Sequence, residues 1–232
     1  MNQSYLIGID IGTSACKVAL FDRSGCVLAA ANGDYPVYYP KEGWAEQNPE
    51  EWWSAVCGAV RQVIEEASVA PEEIAGVGID GQSWSAIAID RNGHVLTNTP
   101  IWMDTRAQSI CDRLNEEIGA EAIFEVAGNS LQPSYATAKI LWYKENLPEV
   151  YAKIDKILQS NSFIAFKLTG AVSQDLSQGY GLHCFDMRTG KWNEAMCEKL
   201  GIPVEFLPEI VPCDHVVGTV TKKAAEECGL AE

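Results

Sequence analysis

The stretch Ile7-Gly8-Ile9-Asp10-Ile11-Gly12-Thr13-Ser14-Ala15-Cys16-Lys17 constrains this chain more than any other. Leu6, Ile7, Ile9 and Ile11 form a short apolar run, rich in β-branching, that suits a strand packed on both faces. Asp10 interrupts the run near its C-terminal end, where a buried carboxylate is costly unless a cation meets it. Gly12-Thr13-Ser14 then makes a tight turn of small residues, and a second run returns from Lys17 to Phe21. A carboxylate beside a small polar turn is chemistry suited to gripping magnesium and phosphate. The same residues also suit an ordinary hairpin with an aspartate in its turn.

The chain echoes this opening. Ile7-Gly8-Ile9-Asp10, followed by Asp22-Arg23-Ser24-Gly25-Cys26-Val27-Leu28, resembles Val77-Gly78-Ile79-Asp80 with Asp90-Arg91-Asn92-Gly93-His94-Val95-Leu96. The aspartates lie 12 residues apart in the first copy and 10 in the second. Both copies put an aspartate at a strand end, where open α/β sheets place ligand sites.

Strands are predicted at Tyr5–Asp10, Cys16–Phe21, Val27–Ala31 and Ile74–Asp80, with a short one at Ile154–Leu158. Asn48 and Pro49 open a helix whose apolar positions Trp52, Val56, Ala59, Val60 and Val63 carry it to about Ala67. Further helices are expected over Ala107–Ile118, Glu121–Ala127, Tyr135–Glu145, Ser160–Leu168, Asn193–Leu200 and Lys222–Cys228. The aromatic loop from Tyr35 to Gln47 either packs over the domain or lines a cleft. Interspersed strands and helices without a Pro/Gly/Ser linker predict one α/β domain over residues 1–232.

The net charge of −15 argues against a nucleic-acid binder and offers no basic stripe to an anionic membrane. Eight scattered cysteines show no metal-ligand spacing, and no cleavable signal or long apolar segment accompanies them. Reduced thiols in a cytoplasmic protein are therefore expected. His94, His183 and His215 stand apart and predict no ligand cluster.

The opening stretch, the Gly81-Gln82 turn, Trp102-Met103-Asp104-Thr105-Arg106 and Lys139-Ile140-Leu141-Trp142 occur in one family's order. Leu168-Thr169-Gly170, Asp175 with Ser177, and Phe185-Asp186 through Lys191-Trp192 are similar to its later landmarks. The chain resembles the N-terminal domain of the FGGY carbohydrate kinases, the xylulokinase-like members above all. The resemblance covers almost the whole chain.

It implies a ribonuclease H-like (actin/hexokinase-type) fold, with a mixed sheet flanked by helices. It also implies a kinase that transfers the γ-phosphoryl of Mg-ATP to a sugar or polyol hydroxyl between two such domains. Ala136 stands where the family usually has a small hydroxyl or Pro, and Tyr143 where an aliphatic is usual. Gln82-Ser83-Trp84 replaces the Gln-Met-His typical of xylulokinases, which leaves pentulose, hexulose, aldonate and polyol open as acceptors.

By this resemblance Asp10 holds magnesium (Mg2+), while Gly12, Thr13 and Ser14 offer amides and hydroxyls to phosphate. Lys17 either adds a charge there or lies on the outer strand face. Gln82 and Ser83 would hold sugar hydroxyls, with Trp84 as an apolar face or as core. Trp102, Asp104 and Arg106 alternate along what reads as an extended segment, so all three could face one side. Asp104 would accept from two hydroxyls with Arg106 bracing it; a purely structural Asp–Arg pair is the other reading. Tyr135 is a further sugar candidate.

In this family the general base is an aspartate in a glycine-rich segment that opens the second domain. That segment and the adenosine pocket are expected beyond Glu232, so little or no kinase activity is expected of this chain alone. A stand-alone sugar-binding module and a subunit completed by another chain are the competing readings. The face left without its partner domain makes a homodimer plausible.

Overall fold

The computed structural model describes residues 4–232. Strand β1 (Tyr5–Ile11) buries Ile7, Ile9 and Ile11 on one face and turns Leu6, Gly8 and Asp10 to the other. Strand β2 (Ala15–Asp22) repeats the alternation, burying Cys16, Val18 and Leu20 and exposing Lys17. Strand β3 (Val27–Asp34) runs three residues beyond its expected end. In the aromatic loop, Tyr38 bridges to Glu46, and β4 (Glu46–Gln47) follows. Tyr35 packs inward, 6.3 Å from the ring of Trp52.

Helix α1 (Pro49–Ala67) begins as expected: the Asn48 side chain accepts from the Glu50 N–H, and Pro49 occupies the first turn. Its apolar stripe Trp52, Val56, Ala59, Val60 and Val63 is buried against β2 and β3. Each buried valine of the stripe contributes about 1.5–3 kcal/mol, so this face anchors the sheet. Strand β5 (Ile74–Gly81) completes the sheet in the order β3-β2-β1-β5, with β1 and β5 parallel. The sequence echo becomes a register: Gly8 lies beside Gly78, Ile9 beside Ile79 and Asp10 beside Asp80.

The remaining elements follow in chain order. They are β6 (Ile87–Ile89), β7 (Thr99–Pro100), α2 (Gln108–Leu114), α3 (Ala120–Ala127), α4 (Ala136–Asn146), α5 (Pro148–Tyr151) and β8 (Lys156–Leu158). Next come α6 (Ser160–Thr169), β9 (Ser173–Asp175), α7 (Leu176–Gly179), β10 (Phe185–Asp186), β11 (Lys191–Trp192), α8 (Glu194–Leu200), β12 (Glu209–Val211) and α9 (Lys222–Cys228). The helix expected to reach Ile118 is α-helical to Leu114 and continues as a π turn over Asn115–Gly119, where Gly119 at φ +94° breaks the helical backbone. The echoed turns match in detail. Asp22 Oδ1 accepts from the amides of Ser24 and Cys26, and Asp90 Oδ1 from those of Asn92 and His94.

One core lies between the sheet, α1, α6 and α9; a second gathers α2, α4 and α8. Among the described residues, no helix is long and apolar enough to cross a membrane.

Candidate functional site

Asp10 sits at the C-terminal end of β1 with Asp80 as its partner in β5 and Lys17 as its partner in β2. Lys17 Nζ lies 3.6 Å from Asp10 Oδ2, with the two side chains 70% and 50% exposed. Lys17 thus shares the face of Asp10, opposite the α1 side of the sheet. An exposed pair of this kind adds at most about 1 kcal/mol of stability, so its location says more than its strength. Asp80 is exposed, and its Oδ1 accepts from the Gly81 amide. Sequence reasoning left Asp80 out of the site, although the repeated Gly-Ile-Asp was a signal for it. Beside Asp80 opens a cavity of about 340 Å³ lined by Asn161, Asp175, Ser177 and His215.

The Gly12–Ser14 turn closes through the Gly12 amide, which donates to Ala15 O at 3.1 Å. A Cβ at Gly12 would come within 2.8 Å of that same oxygen, so the turn itself requires glycine before any phosphate is considered. The turn's carbonyls are taken from behind: Tyr35 Oη donates to Gly12 O at 2.7 Å, and Gln47 Nε2 to Thr13 O at 2.8 Å. Burial raises the Tyr35 phenol pKa, which keeps it a donor. Gln82 reaches the turn as well, donating through Nε2 to Gln47 Oε1 at 2.9 Å and through its amide to Ile11 O at 2.7 Å. Trp102 Nε1 donates to Thr13 Oγ1 at 3.1 Å.

Gln82, Ser83 and Trp84 leave the end of β5 in an unusual shape. Trp84 has φ +70°, a left-handed conformation that side chains of its size rarely adopt. Its amide donates to Gln159 Oε1 at 2.9 Å, and its carbonyl accepts from Lys139 Nζ at 2.8 Å. The indole stacks on Tyr135 at 4.4 Å and 28°, and meets Tyr180 edge-on at 6.2 Å. Tyr180 Oη lies 3.4 Å from Ser83 Oγ. Tyr135 and Trp84 therefore form one wall, with His183 behind Tyr135 at 4.9 Å. Burial holds the His183 imidazole down to about 4, so it is neutral near pH 7. Gln82 Oε1 and Trp84 Nε1, an acceptor and a donor, are buried and carry no hydrogen-bond partner among the described residues.

The segment after Ile101 corrects an expectation. It is not extended: the Asp104 amide donates to Ile101 O at 3.0 Å, and this turn ends the period-2 alternation. Trp102 is 43% exposed, whereas Asp104 is 0% exposed and the Arg106 side chain only 3%. Asp104 Oδ2 accepts from the Ala45 amide at 2.7 Å, and Oδ1 from the Arg106 amide at 2.9 Å. Arg106 Nε reaches both oxygens, at 3.0 and 2.9 Å, and its Nη2 donates to Glu46 Oε2 at 2.7 Å. The guanidinium lies over Trp44 at 3.9 Å and Trp142 at 4.9 Å. Asp104 and Arg106 thus face inward as a brace and do not join Trp102 on an open surface.

Lys139, noted in sequence only as part of a motif, is fully buried on α4. Its ammonium donates to the carbonyls of Trp84 and Ile101, at 2.8 and 2.9 Å. Burial pushes its pKa down to about 7, against the opposing charge of Asp104.

Among the described residues no group of three or more His, Cys, Asp or Glu is arranged to hold a metal. The Asp10–Asp80 edge fits a magnesium ion nonetheless, since that ion takes one or two protein carboxylates and completes its shell with water and phosphate.

Over residues 5–232 the sequence matches the N-terminal domain of the FGGY family of carbohydrate kinases. The chain belongs to that family. As an FGGY chain it is 30% identical over 228 residues to a xylulose kinase of Bacillus subtilis, covering 98% of this chain and 46% of the relative. A glycerol kinase of Carboxydothermus hydrogenoformans is 31% identical, over 94% of this chain and 45% of the relative. The crystal structure of a xylulose kinase from Rhodospirillum rubrum superposes with a TM-score of 0.92 at 26% identity, covering 98% of this chain and 46% of that one. The FGGY fold, of the actin/hexokinase type, is the one expected from sequence. The chain spans about half the length of the curated relatives it matches.

Proposed function

We propose that this chain is the sugar-binding half of an ATP-dependent carbohydrate kinase of the cytoplasm, which phosphorylates a hydroxyl of a ketopentose or related polyol. The observation that carries this reading is the bond from Trp102 Nε1 to Thr13 Oγ1. It joins a small polar turn beside two strand-end carboxylates to the exposed ring of Trp102, and Gln82, whose main-chain amide donates to Ile11 O, brings a side-chain oxygen unpartnered among the described residues to the same turn. Phosphoryl transfer needs such an adjacency, because catalysis there is mostly positioning and charge neutralisation.

In this reading Asp10 and Asp80 hold magnesium, which when bound neutralises charge on the phosphates. The Gly12–Ser14 turn presents donors to the phosphates, and Lys17 adds a positive charge at the same edge. Gln82 Oε1 accepts from a sugar hydroxyl, and Trp84 Nε1 donates to one. Ser83 and Tyr135 shape the same wall, and the exposed ring of Trp102 covers the sugar's apolar face. Asp104 and Arg106 act from behind by fixing the segment that carries Trp102. The base that deprotonates the attacking hydroxyl is expected in the half of the relatives that this chain does not span, so residues 1–232 alone are expected to bind sugar without turning it over.

Calorimetric titration with D-xylulose, D-ribulose, xylitol and glycerol tests the binding half of this reading. Heat with at least one of them, abolished in Trp102→Ala, is expected. Binding unchanged in Trp102→Ala would sink the site assignment, and robust ADP release by residues 1–232 alone would sink the expectation that the base lies outside them.

A further inference from the structure

A fully buried ammonium is an expensive way to fill space. Methionine or leucine would occupy the volume without the desolvation cost, which amounts to several kcal/mol for an ion. Lys139 offsets that cost with two backbone carbonyls, and the choice of carbonyls is informative. One belongs to Trp84; the other belongs to Ile101, the residue before Trp102. A single side chain therefore ties together the two segments that form the proposed sugar wall.

The tie also explains how Trp84 keeps its conformation. A left-handed backbone costs a non-glycine residue about 1–2 kcal/mol, so surrounding contacts must over-determine it. Here the amide is held by Gln159, which is itself anchored through Nε2 to Gln178 O, and the carbonyl is held by Lys139. Releasing the carbonyl lets the peptide relax and swings the indole off Tyr135.

We propose that Lys139 is a positioning residue for the acceptor sugar, acting through Trp84 and Ile101 rather than by touching the ligand. The proposal rests on the sugar-site reading above. The charged groups around the ammonium are Asp104 and Arg106 from the 101–106 turn, with Glu46 bonded to Arg106 behind them. Because the ammonium titrates near pH 7, its grip on the two carbonyls weakens as pH rises. The neutral amine keeps N–H donors but loses the charge assistance that makes such bonds roughly twice as strong.

Two quantities then move in opposite directions. Sugar affinity falls as pH rises from 6 to 8.5. Over the same range the Lys139 contribution to fold stability rises, because the unfolded lysine keeps its proton up to about pH 10.4 and so binds more protons than the folded one. A lysine serving only the core would give the stability trend without the affinity trend.

The experiment titrates D-xylulose, D-ribulose, xylitol and glycerol into the wild-type chain and into Lys139→Met at pH 6, 7 and 8.5, with thermal melts and near-ultraviolet circular dichroism alongside. Expected are a wild-type affinity that declines with pH and a variant that binds roughly tenfold more weakly, equivalent to about 1.4 kcal/mol. The Trp84–Tyr135 aromatic dichroism should be altered in the variant while the cooperative melt is retained. If Lys139→Met does not fold, the wild-type pH profile alone decides. Wild-type affinity that is flat across this range, or a folded variant that binds as the wild type does, overturns the positioning role and leaves the sugar site standing. Absence of binding to all four compounds overturns the site reading, and this proposal with it.

Discussion

Replacing Asp104 by alanine is expected to destabilise the chain by about 3–5 kcal/mol, the usual cost of breaking a buried ion pair from one side. The structure gives the reason for each part of that loss. Arg106 would remain buried with Glu46 as its one carboxylate partner, and the Ala45 amide would lose its acceptor. An orphaned buried amide alone costs about 1–3 kcal/mol, overlapping with the first figure rather than adding to it. Asn would do little better. The groups facing the carboxylate are the amides of Ala45 and Arg106 and the Arg106 Nε, all donors, so the new NH2 would meet a donor. Urea unfolding followed by far-ultraviolet circular dichroism compares wild type, Asp104→Ala and Asp104→Asn. A loss of several kcal/mol in both variants fits the brace. If both unfold within about 0.5 kcal/mol of wild type with unchanged m, as surface substitutions do, the reasoning fails and Asp104 returns to the list of sugar ligands.

Trp84→Gly is expected to be more stable than Trp84→Ala by about 1 kcal/mol, because both lose the ring but only glycine accepts φ +70° without strain. Equal melting temperatures would show that the backbone relaxes once the indole is gone. Gly12→Ala should lower the melting temperature by a few degrees, since its Cβ would meet Ala15 O at 2.8 Å and both atoms belong to the main chain. An unchanged melt would mean that the turn opens freely.

What the sequence disclosed follows the range of the interactions involved. The β1–β2 hairpin and α1 were legible because alternation, turn residues and an Asn-Pro cap act locally. The place of Asp10, at a strand end before a small polar turn, was legible for the same reason. Asp80 needed the parallel register between β1 and β5, which no local pattern states, although the repeat hinted at it. Asp104 and Arg106 were expected to share a face with Trp102 because alternation was assumed to continue through a turn; the Asp–Arg brace, the other reading, is the arrangement the structure shows. Lys139 escaped because a helical lysine ordinarily reads as solvent-facing. The signal was there: its neighbours three and four positions away are Ala136, Trp142, Tyr135 and Tyr143, with no acid among them. The first two turns of α4, Ala136 to Tyr143, are buried on every side, and their lysine is buried with them.

The bond between Trp102 and Thr13 carries one more consequence for a chain that works as proposed. The same hydroxyl that faces a phosphate holds up a ring that faces a sugar, so neither ligand can press on its half without the other feeling it. Linkage makes that influence mutual: whatever factor the sugar applies to phosphate affinity, phosphate applies to sugar affinity. A lineage changing the residue at position 102 to suit another acceptor would therefore retune its hold on the phosphate donor in the same step.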